Sequence, residues 1–220
     1  MDPIVLPLEE KISDLPKIIN DLTLDSFLTK KGFVSIEGNI SSCQGKINDL
    51  NGLINLINKP NINVMEIGFN AGHSAESFLR NKNVTLTSFD IGSHIYLLTA
   101  KEYIDLTFPN RHTLILGDSI KTIPDFINNN KTIKFDLIFI DGGHTYECAS
   151  NDLKNCFHLA HKDTIVVIDD TMYTKEWEKE YSIEPTQAWL NQIQENKIIE
   201  INKKDYCEGY GMSWGKYVIN

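Results

Sequence analysis

Short apolar runs alternate with longer amphipathic stretches from about residue 62 onward, and this alternation constrains the fold more than any other feature. Five runs that end in a glycine or an acid are predicted as strands, at residues 62–68, 84–90, 112–118, 135–141 and 164–170. Helices long enough for right-handed crossovers are predicted at residues 73–81, 94–107, 119–129 and 146–160. The pattern predicts an α/β fold with a doubly wound, mostly parallel sheet flanked by helices.

The two ends of the chain depart from this alternation. After a predicted helix near residues 185–196, "KIIEIN" and "GMSWGKYVI" are typical of two strands, joined by the turn-rich "KKDYCEGY". They predict an antiparallel pair at the edge of the sheet. The first 60 residues are helical in pattern, for example in "LPKIINDLTLDSFL" and "KINDLNGLINLIN". We therefore predict a helical extension, residues 1–60, packed on a main domain of residues 61–220.

Composition and charge limit the partners that we expect. The 220 residues are 41% hydrophobic, which is enough for the core of one large domain. The net charge of −9 argues against nucleic acid, and no apolar run approaches the roughly 18 to 20 residues of a membrane span. The start lacks a secretory signal and the four cysteines are scattered, so we expect a cytoplasmic protein. A homo-oligomer stays open.

Polar residues follow the carboxyl ends of all five predicted strands, the edge at which open parallel sheets bind ligands. They are Glu66, Gly68, Asn70, Gly72 and Ser74 after the first strand, then Asp90, Asp118 with Ser119, Asp141 with His144, and Asp169 with Asp170. Any one of them has an ordinary alternative as a helix N-cap. Because acids occur at the ends of all five predicted strands, a shared binding site is favoured over a series of separate helix N-caps.

The segment "EIGFNAGHS", residues 66–74, is a glycine-rich loop between a strand and a helix. It is not a GxGxxG motif, and no lysine follows to form a phosphate loop. Glu66 would repel a pyrophosphate but suits a ligand with an ammonium group. Asp90, at the end of the next strand, can accept hydrogen bonds from ribose hydroxyls. Together these features favour S-adenosylmethionine, which carries a ribose and a cationic aminoacyl end.

With these motifs, the chain resembles class I S-adenosylmethionine-dependent methyltransferases over about residues 60–220. The E-x-G-x-x-x-G-x-S pattern resembles the first motif of catechol O-methyltransferases. "IDGGHTYE" followed by "VIDDT" resembles metal-dependent small-molecule O-methyltransferases that modify sugars on macrolides and other natural products. The resemblance implies a Rossmann-like seven-stranded sheet whose last strand is antiparallel.

The resemblance also implies which residues bind the cofactor. The methionine portion would be held by the loop after the first strand, that is by Glu66, Gly68, Phe69, Asn70, Gly72 and Ser74. Asp90, with Ile91, would bind the ribose, and Asp118 with Ser119 the adenine. Asp141 completes the predicted cofactor-binding set.

Asp141, Asp169 and Asp170 are predicted to hold a divalent metal ion. They end two strands that one crossover separates, so their side chains can converge. Three clustered carboxylates need a cation, and oxygen ligands suit Mg²⁺. The alternative is that Asp169 and Asp170 only cap the following loop. The catechol enzymes have asparagine where this chain has Asp170, so the extra charge favours the sugar-modifying relatives.

His144, three residues after Asp141, is the predicted general base, and the two form the predicted catalytic pair. The sugar enzymes that this loop resembles have their base at this place. A divalent ion lowers the pKa of a coordinated hydroxyl, and a nearby imidazole can then accept its proton. The alternative is a helix-start residue bonded to a carboxylate. His73 is predicted to pack or cap, and the other histidines have no predicted role.

The segment "TMYTKEWEKEY", residues 171–181, is predicted as a lid that faces the substrate. Tyr173, Trp177 or Tyr181 could stack on a sugar or an aromatic ring, although contacts with the core are an equal alternative.

The predicted function is a metal-dependent O-methyltransferase that moves a methyl group from S-adenosylmethionine to a small-molecule hydroxyl, on a sugar, nucleotide sugar or glycan. One alternative is a catechol-type enzyme that acts on vicinal aromatic hydroxyls. Another is a non-catalytic S-adenosylmethionine-binding protein. A nucleotide-dependent oxidoreductase is disfavoured because GxGxxG is absent.

Overall fold

A seven-stranded sheet forms the centre of the computed structural model, which describes residues 22–38 and 40–219. Its strands are β1 (Ile62–Ile67), β2 (Val84–Asp90), β3 (His112–Leu116), β4 (Phe135–Ile140), β5 (Ala160–Asp169), β6 (Ile198–Cys207) and β7 (Tyr210–Tyr217). They are arranged in the order β3-β2-β1-β4-β5-β7-β6. The first five are parallel, and β7 is antiparallel to both β5 and β6. The predicted fold class is confirmed.

The strand order reverses between β1 and β4, and ligands bind beyond the carboxyl ends of the strands at such a point. Helices cover both faces of the sheet: α1 (Leu24–Lys30), α2 (Gln44–Leu56), α3 (His73–Leu79), α4 (Leu97–Thr107), α5 (Ser119–Asn129), α6 (Tyr146–Phe157) and α7 (Glu180–Gln194). Val64 and Met65 are neighbours in β1, yet they lie in different hydrophobic cores because successive side chains point to opposite faces.

The described part of the predicted N-terminal extension shares a core with the sheet. Leu28 of α1 and Leu50 and Ile54 of α2 lie in one hydrophobic cluster with Val64 of β1. The domain boundary at residue 60 stays a prediction, and the predictions for residues 1–21 lie outside the described residues. Within the described ranges, no helix is long and apolar enough to span a membrane.

The C-terminal pair differs from its prediction in the length of the first strand. We expected a turn over residues 203–210, but β6 continues to Cys207 and the turn consists of Glu208 and Gly209. Gly209 has a φ of +75°, which favours glycine. The expected helix at 185–196 begins earlier, at Glu180, so the predicted lid over 171–181 contains the first residues of α7 and a 3-10 turn at Lys175–Trp177.

Candidate active site

A cavity of about 630 Å³ opens at the carboxyl ends of β1, β2, β4 and β5. Most of the predicted site residues line it: Gly68, Asn70, Asp90, Ile91, Asp118, Ser119, Asp141, His144, Asp169 and Asp170. Gly68 has a φ of +95°, and a Cβ atom there would overlap the backbone carbonyl of Asp141. Only glycine therefore allows the loop after β1 to lie directly against the loop after β4.

Asp90 is fixed at one side of the cavity by backbone donors. Its Oδ2 accepts a hydrogen bond from Asn70 N at 2.8 Å, and its Oδ1 accepts one from Gly92 N at 2.7 Å. Each carboxylate oxygen keeps a further lone pair for an incoming donor. This arrangement fits the two hydroxyls of a ribose, as predicted for the cofactor.

Four residues of the predicted methionine subsite do not line the cavity: Glu66, Phe69, Gly72 and Ser74. Glu66 is fully buried and accepts hydrogen bonds from Ser74 Oγ at 2.7 Å and Ser88 Oγ at 2.6 Å. Phe69 stacks on His112 with a centroid distance of 5.1 Å. The structure does not place these four side chains at the cavity, and their contact with a ligand stays a prediction.

The main-chain segment before α2 also contacts the cofactor side of the cavity. Asn70 Nδ2 donates to the carbonyl oxygens of Glu37 and Gly38, at 2.8 and 3.0 Å. Asn70 Oδ1 accepts from Tyr96 Oη at 2.7 Å, and this hydroxyl in turn accepts from Glu37 N at 3.3 Å. Asn70 therefore holds residues 37 and 38 at the cavity instead of presenting its side chain freely to a ligand.

The three predicted metal-binding acids lie together, but a lysine from α2 lies among them. Lys46 Nζ is 2.6 Å from Asp169 Oδ1 and 3.5 Å from Asp170 Oδ1, and Lys46 is only 2% exposed. The sequence analysis did not predict a role for Lys46. Its position on the same side of α2 as Leu50 and Leu53 could have indicated one, because a charged residue on the buried side of a helix needs a partner.

Asp141 differs from its two neighbours. No described residue forms a hydrogen bond or an ion pair with its carboxylate. Burial and the negative charges of Asp169 and Asp170 raise its pKa well above the ordinary value, although the charge of Lys46 acts in the opposite direction. Its carboxylate faces the cavity and is only partly compensated, so it favours a cationic or hydrogen-bond-donating ligand.

The atoms that can bind a metal come from a set that differs in part from the prediction. Asp141, His144 and Asp170 each offer one ligand atom, and these atoms all lie within 4.8 Å of one another. Two carboxylates and an imidazole fit a divalent cation. Asp169 was predicted as the third carboxylate ligand, but its Oδ1 is bound by Lys46.

His144 is held by Asp170 at the mouth of the cavity. Its Nε2 is 2.9 Å from Asp170 Oδ2, and its side chain is 47% exposed. This hydrogen bond raises the pKa of His144 above its ordinary value. Asp170 has a φ of +56°, a strained conformation for a residue with a side chain, and such strain is common at functional sites. When Nε2–H donates to Asp170, Nδ1 carries the lone pair that can accept a proton.

Of the three aromatic residues predicted to face the substrate, Tyr181 lines the cavity. Its ring centroid is 5.5 Å from that of His144. Tyr173 instead bonds to Ser213 Oγ at 2.8 Å and lies under the ammonium of Lys203, and neither Tyr173 nor Trp177 lines the cavity. For Tyr173 these contacts favour the alternative that its ring packs against the protein. Sequence reasoning also missed further lining residues, among them Glu37, His94 and Tyr210.

The sequence from residue 65 to residue 171 matches a family model described as a methyltransferase domain. This segment is similar to a methyltransferase domain. This confirms the resemblance that the strand-end motifs indicated.

Three solved structures share the fold of this chain over nearly its whole length. One is cofactor-bound Rv0187 from MTB, with 16% identity, a TM-score of 0.69 and full coverage of both chains. Another is an O-methyltransferase from Bacillus cereus in complex with SAH, with 15% identity, a TM-score of 0.62 and 97% and 93% of the two chains covered. A third is CalS11, a TDP-rhamnose 3'-O-methyltransferase of calicheamicin biosynthesis, with 14% identity, a TM-score of 0.62 and 98% and 97% coverage. A search of curated proteins gives no match.

The residues that line the cavity form two groups, one inside and one outside the matched segment. Asp90, Asp141, His144 and Asp170 lie within residues 65–171. Several other lining residues lie outside it: Glu37, Gly38, Ile40, Lys46, Tyr181 and Tyr210. The flanking segments therefore add side chains to a site whose core belongs to the domain.

Proposed function

We propose that the protein is an O-methyltransferase that transfers the methyl group of S-adenosylmethionine to a hydroxyl of a small molecule, on a sugar, nucleotide sugar or glycan. The observation that carries this proposal is the pairing of His144 with Asp170 at 2.9 Å, at the mouth of the cavity that Asp90 lines on its cofactor side. An imidazole in this position is a suitable base for an alcohol, which is a poor nucleophile until it loses its proton.

The residues of the cavity have different roles in the proposed reaction. Asp90 binds the ribose, and Asp118 with Ser119 lies on the adenine side. His144 accepts the proton of the acceptor hydroxyl at Nδ1, while Asp170 keeps the ring oriented and stabilises its positive charge. The acceptor oxygen attacks the sulfonium methyl carbon in line as the carbon–sulfur bond breaks, and S-adenosylhomocysteine leaves. Holding both reactants at attack distance supplies much of the rate.

The proposal includes a divalent metal ion, Mg²⁺, held by Asp141 and Asp170 beside His144. The carboxylate of Asp141 supports it, because it lines the cavity without a hydrogen-bond donor among the described residues, and a cation stabilises such an acid. When bound, such an ion lowers the pKa of a coordinated hydroxyl. A cytoplasmic location and a homo-oligomeric state stay predictions.

Two observations support a sugar as the acceptor. Tyr181 offers an aromatic ring next to His144, on which the apolar face of a sugar can pack. CalS11, which has the same fold, is named as an enzyme that acts on TDP-rhamnose. At 14% identity this name guides the choice of substrates to test.

The test is methyl transfer from labelled S-adenosylmethionine to a panel of nucleotide sugars, glycans and catechols, with and without EDTA. We expect label in a sugar hydroxyl and loss of transfer with EDTA, restored by Mg²⁺. Transfer that is indifferent to EDTA contradicts the metal proposal. Label in catechols alone favours the catechol-type alternative, and cofactor binding without transfer to any acceptor favours a non-catalytic binding protein.

A further inference from the structure

Lys46 brings a permanent positive charge into the acid cluster, defined here as Asp141, Asp169 and Asp170. It reaches the cluster from α2, and its side chain is 3% exposed. Burial alone would lower the pKa of Lys46, but the charges of Asp169, Asp170 and Asp141 outweigh burial and raise it. The ammonium group therefore stays charged next to the carboxylates.

The ammonium group lies at one of the two oxygens that a metal ion bound to Asp169 would use. Its nitrogen is 2.6 Å from Asp169 Oδ1, so its positive charge opposes a second cation on that oxygen. It is also 3.5 Å from Asp170 Oδ1, so it repels a divalent ion that approaches the rest of the cluster. Repulsion in a buried site is weakly screened.

Neighbouring residues restrict the position of Lys46. The ring of Tyr210 packs near its ammonium, with a centroid distance of 5.2 Å. Leu50 and Leu53 anchor the same side of α2 in the core. The lysine is therefore a fixed part of the site and not a surface side chain that a metal ion displaces.

We propose that Lys46 is a resident counter-cation that occupies Asp169 and weakens the binding of divalent metal ions to the acid cluster. Asp141 and Asp170 are then the only carboxylates of the cluster that contact a metal ion. This inference rests on the metal site of the proposed function. Lys46 acts through the carboxylates, so it is a positioning residue.

The test is a titration of the full-length protein with Mn²⁺, followed by calorimetry and by the electron paramagnetic resonance signal of the free ion. Lys46→Met removes the charge at similar length and is expected to bind Mn²⁺ at least tenfold more tightly than the wild type. Lys46→Arg keeps the charge and is expected to stay within threefold. Equal or weaker binding by Lys46→Met overturns the proposal.

Lys46→Met leaves Asp169 buried without its partner, so this variant is at risk of misfolding. A second variant tests the proposal without that unpaired charge. The double variant Lys46→Met with Asp169→Asn removes both charges of the pair and keeps Asp141 and Asp170. We expect its Mn²⁺ affinity to stay within threefold of the wild type. A loss of tenfold or more shows that Asp169 is a metal ligand and overturns the proposal.

The titration separates this inference from the proposed function, because Mn²⁺ binding requires neither S-adenosylmethionine nor an acceptor. If the wild type binds no Mn²⁺ but Lys46→Met does, the inference is supported even though the enzyme itself is metal-free. If neither protein binds Mn²⁺ while both are folded by circular dichroism, the inference is overturned. Failure of methyl transfer with every acceptor bears on the proposed function alone.

Discussion

Strand β4 has a carboxylate near each end, and the two have opposite surroundings. Asp136, near its amino end, forms an ion pair with Lys59 and hydrogen bonds with His161 Nε2 and Asn63 N, both at 2.9 Å. Asp141, which follows its carboxyl end, has no such partner among the described residues. Burial alone would raise both pKa values. The donors lower that of Asp136, whereas neighbouring acids raise that of Asp141 further.

The two edges of this sheet therefore have different roles. At the amino edge, polar groups satisfy one another and contribute to stability. At the carboxyl edge, the chain keeps an acid at a free-energy cost, which is the pattern of a binding site. The same contrast exists between His161, paired with Asp136, and His144, paired with Asp170, since both pairs have a separation of 2.9 Å.

The comparison of His144 with His161 provides the test with the largest expected effect. We expect His144→Ala to lower kcat for a sugar acceptor by about 100-fold or more, because a general base contributes about 10² to 10⁴ in rate. The affinity for S-adenosylmethionine should stay unchanged in calorimetry. His161→Ala is the matched control and should leave kcat unchanged. Full activity in His144→Ala would remove its role as base and favour a catechol-type acceptor.

Glu66, a buried acid of β1, predicts how the stability of the protein depends on pH. Burial raises its pKa from 4.5 to about 7, although the hydroxyls of Ser88 and Ser74 act in the opposite direction. The folded state therefore binds the proton more tightly than the unfolded state, and this contribution to stability is lost as pH rises from about 4.5 to about 7. Between pH 4.5 and pH 8, the free energy of unfolding of the wild type should fall by about 3 kcal/mol more than that of Glu66→Gln. Urea unfolding of both proteins across this pH range measures the difference. The same pH dependence in both proteins would contradict the prediction.

Asp136→Asn tests the amino edge directly. It leaves Lys59 and His161 without a charged acceptor, so we expect a loss of about 2 kcal/mol in the free energy of unfolding, with kcat unchanged. Asp141→Asn, the matched change at the other end of β4, should leave stability equal or higher, because it removes a poorly compensated charge. Chemical denaturation of both variants is the measurement. A larger loss of stability in Asp141→Asn than in Asp136→Asn would refute the contrast.

Asn70→Ala has the smallest expected effect. It removes the hydrogen bonds to the carbonyls of Glu37 and Gly38 but keeps the backbone donor to Asp90. We expect the Kd for S-adenosylmethionine to rise about fivefold, which corresponds to about 1 kcal/mol. Calorimetry measures it. Asn81→Ala, in a turn away from the cavity, is the control, and an unchanged Kd in Asn70→Ala would show that residues 37 and 38 do not affect cofactor binding.

The sheet could be predicted from the sequence because its signal is local. Each parallel strand is a short apolar run that ends in a polar residue, and that pattern needs no knowledge of the partners. The length of β6 could not be predicted in this way. Its residues 203–207 are polar because the strand lies at the edge of the sheet, so they resemble a turn.

The site could be predicted only in part, because the local pattern shows the acids at the strand ends but not their partners. Acids at the strand ends were visible, but the partner of each acid depends on distant segments. Glu66 looked like a ligand contact until Ser74 and Ser88 were found to bind both of its oxygens. Lys46 comes from a helix whose position against the sheet no local pattern gives. Tertiary contacts therefore decide which of the predicted acids stay open to a ligand.

The contact between Gly68 and the backbone of Asp141 constrains how the acceptor preference of such an enzyme can change. The loop after β1 and the loop that contains His144 touch without a side chain between them, so neither backbone can shift alone. Under the proposed function, new acceptors must be accommodated by residues outside this contact, such as Tyr181 and Tyr210. Differences in acceptor choice are therefore expected in the segments that flank residues 65–171, while the two loops change together or not at all.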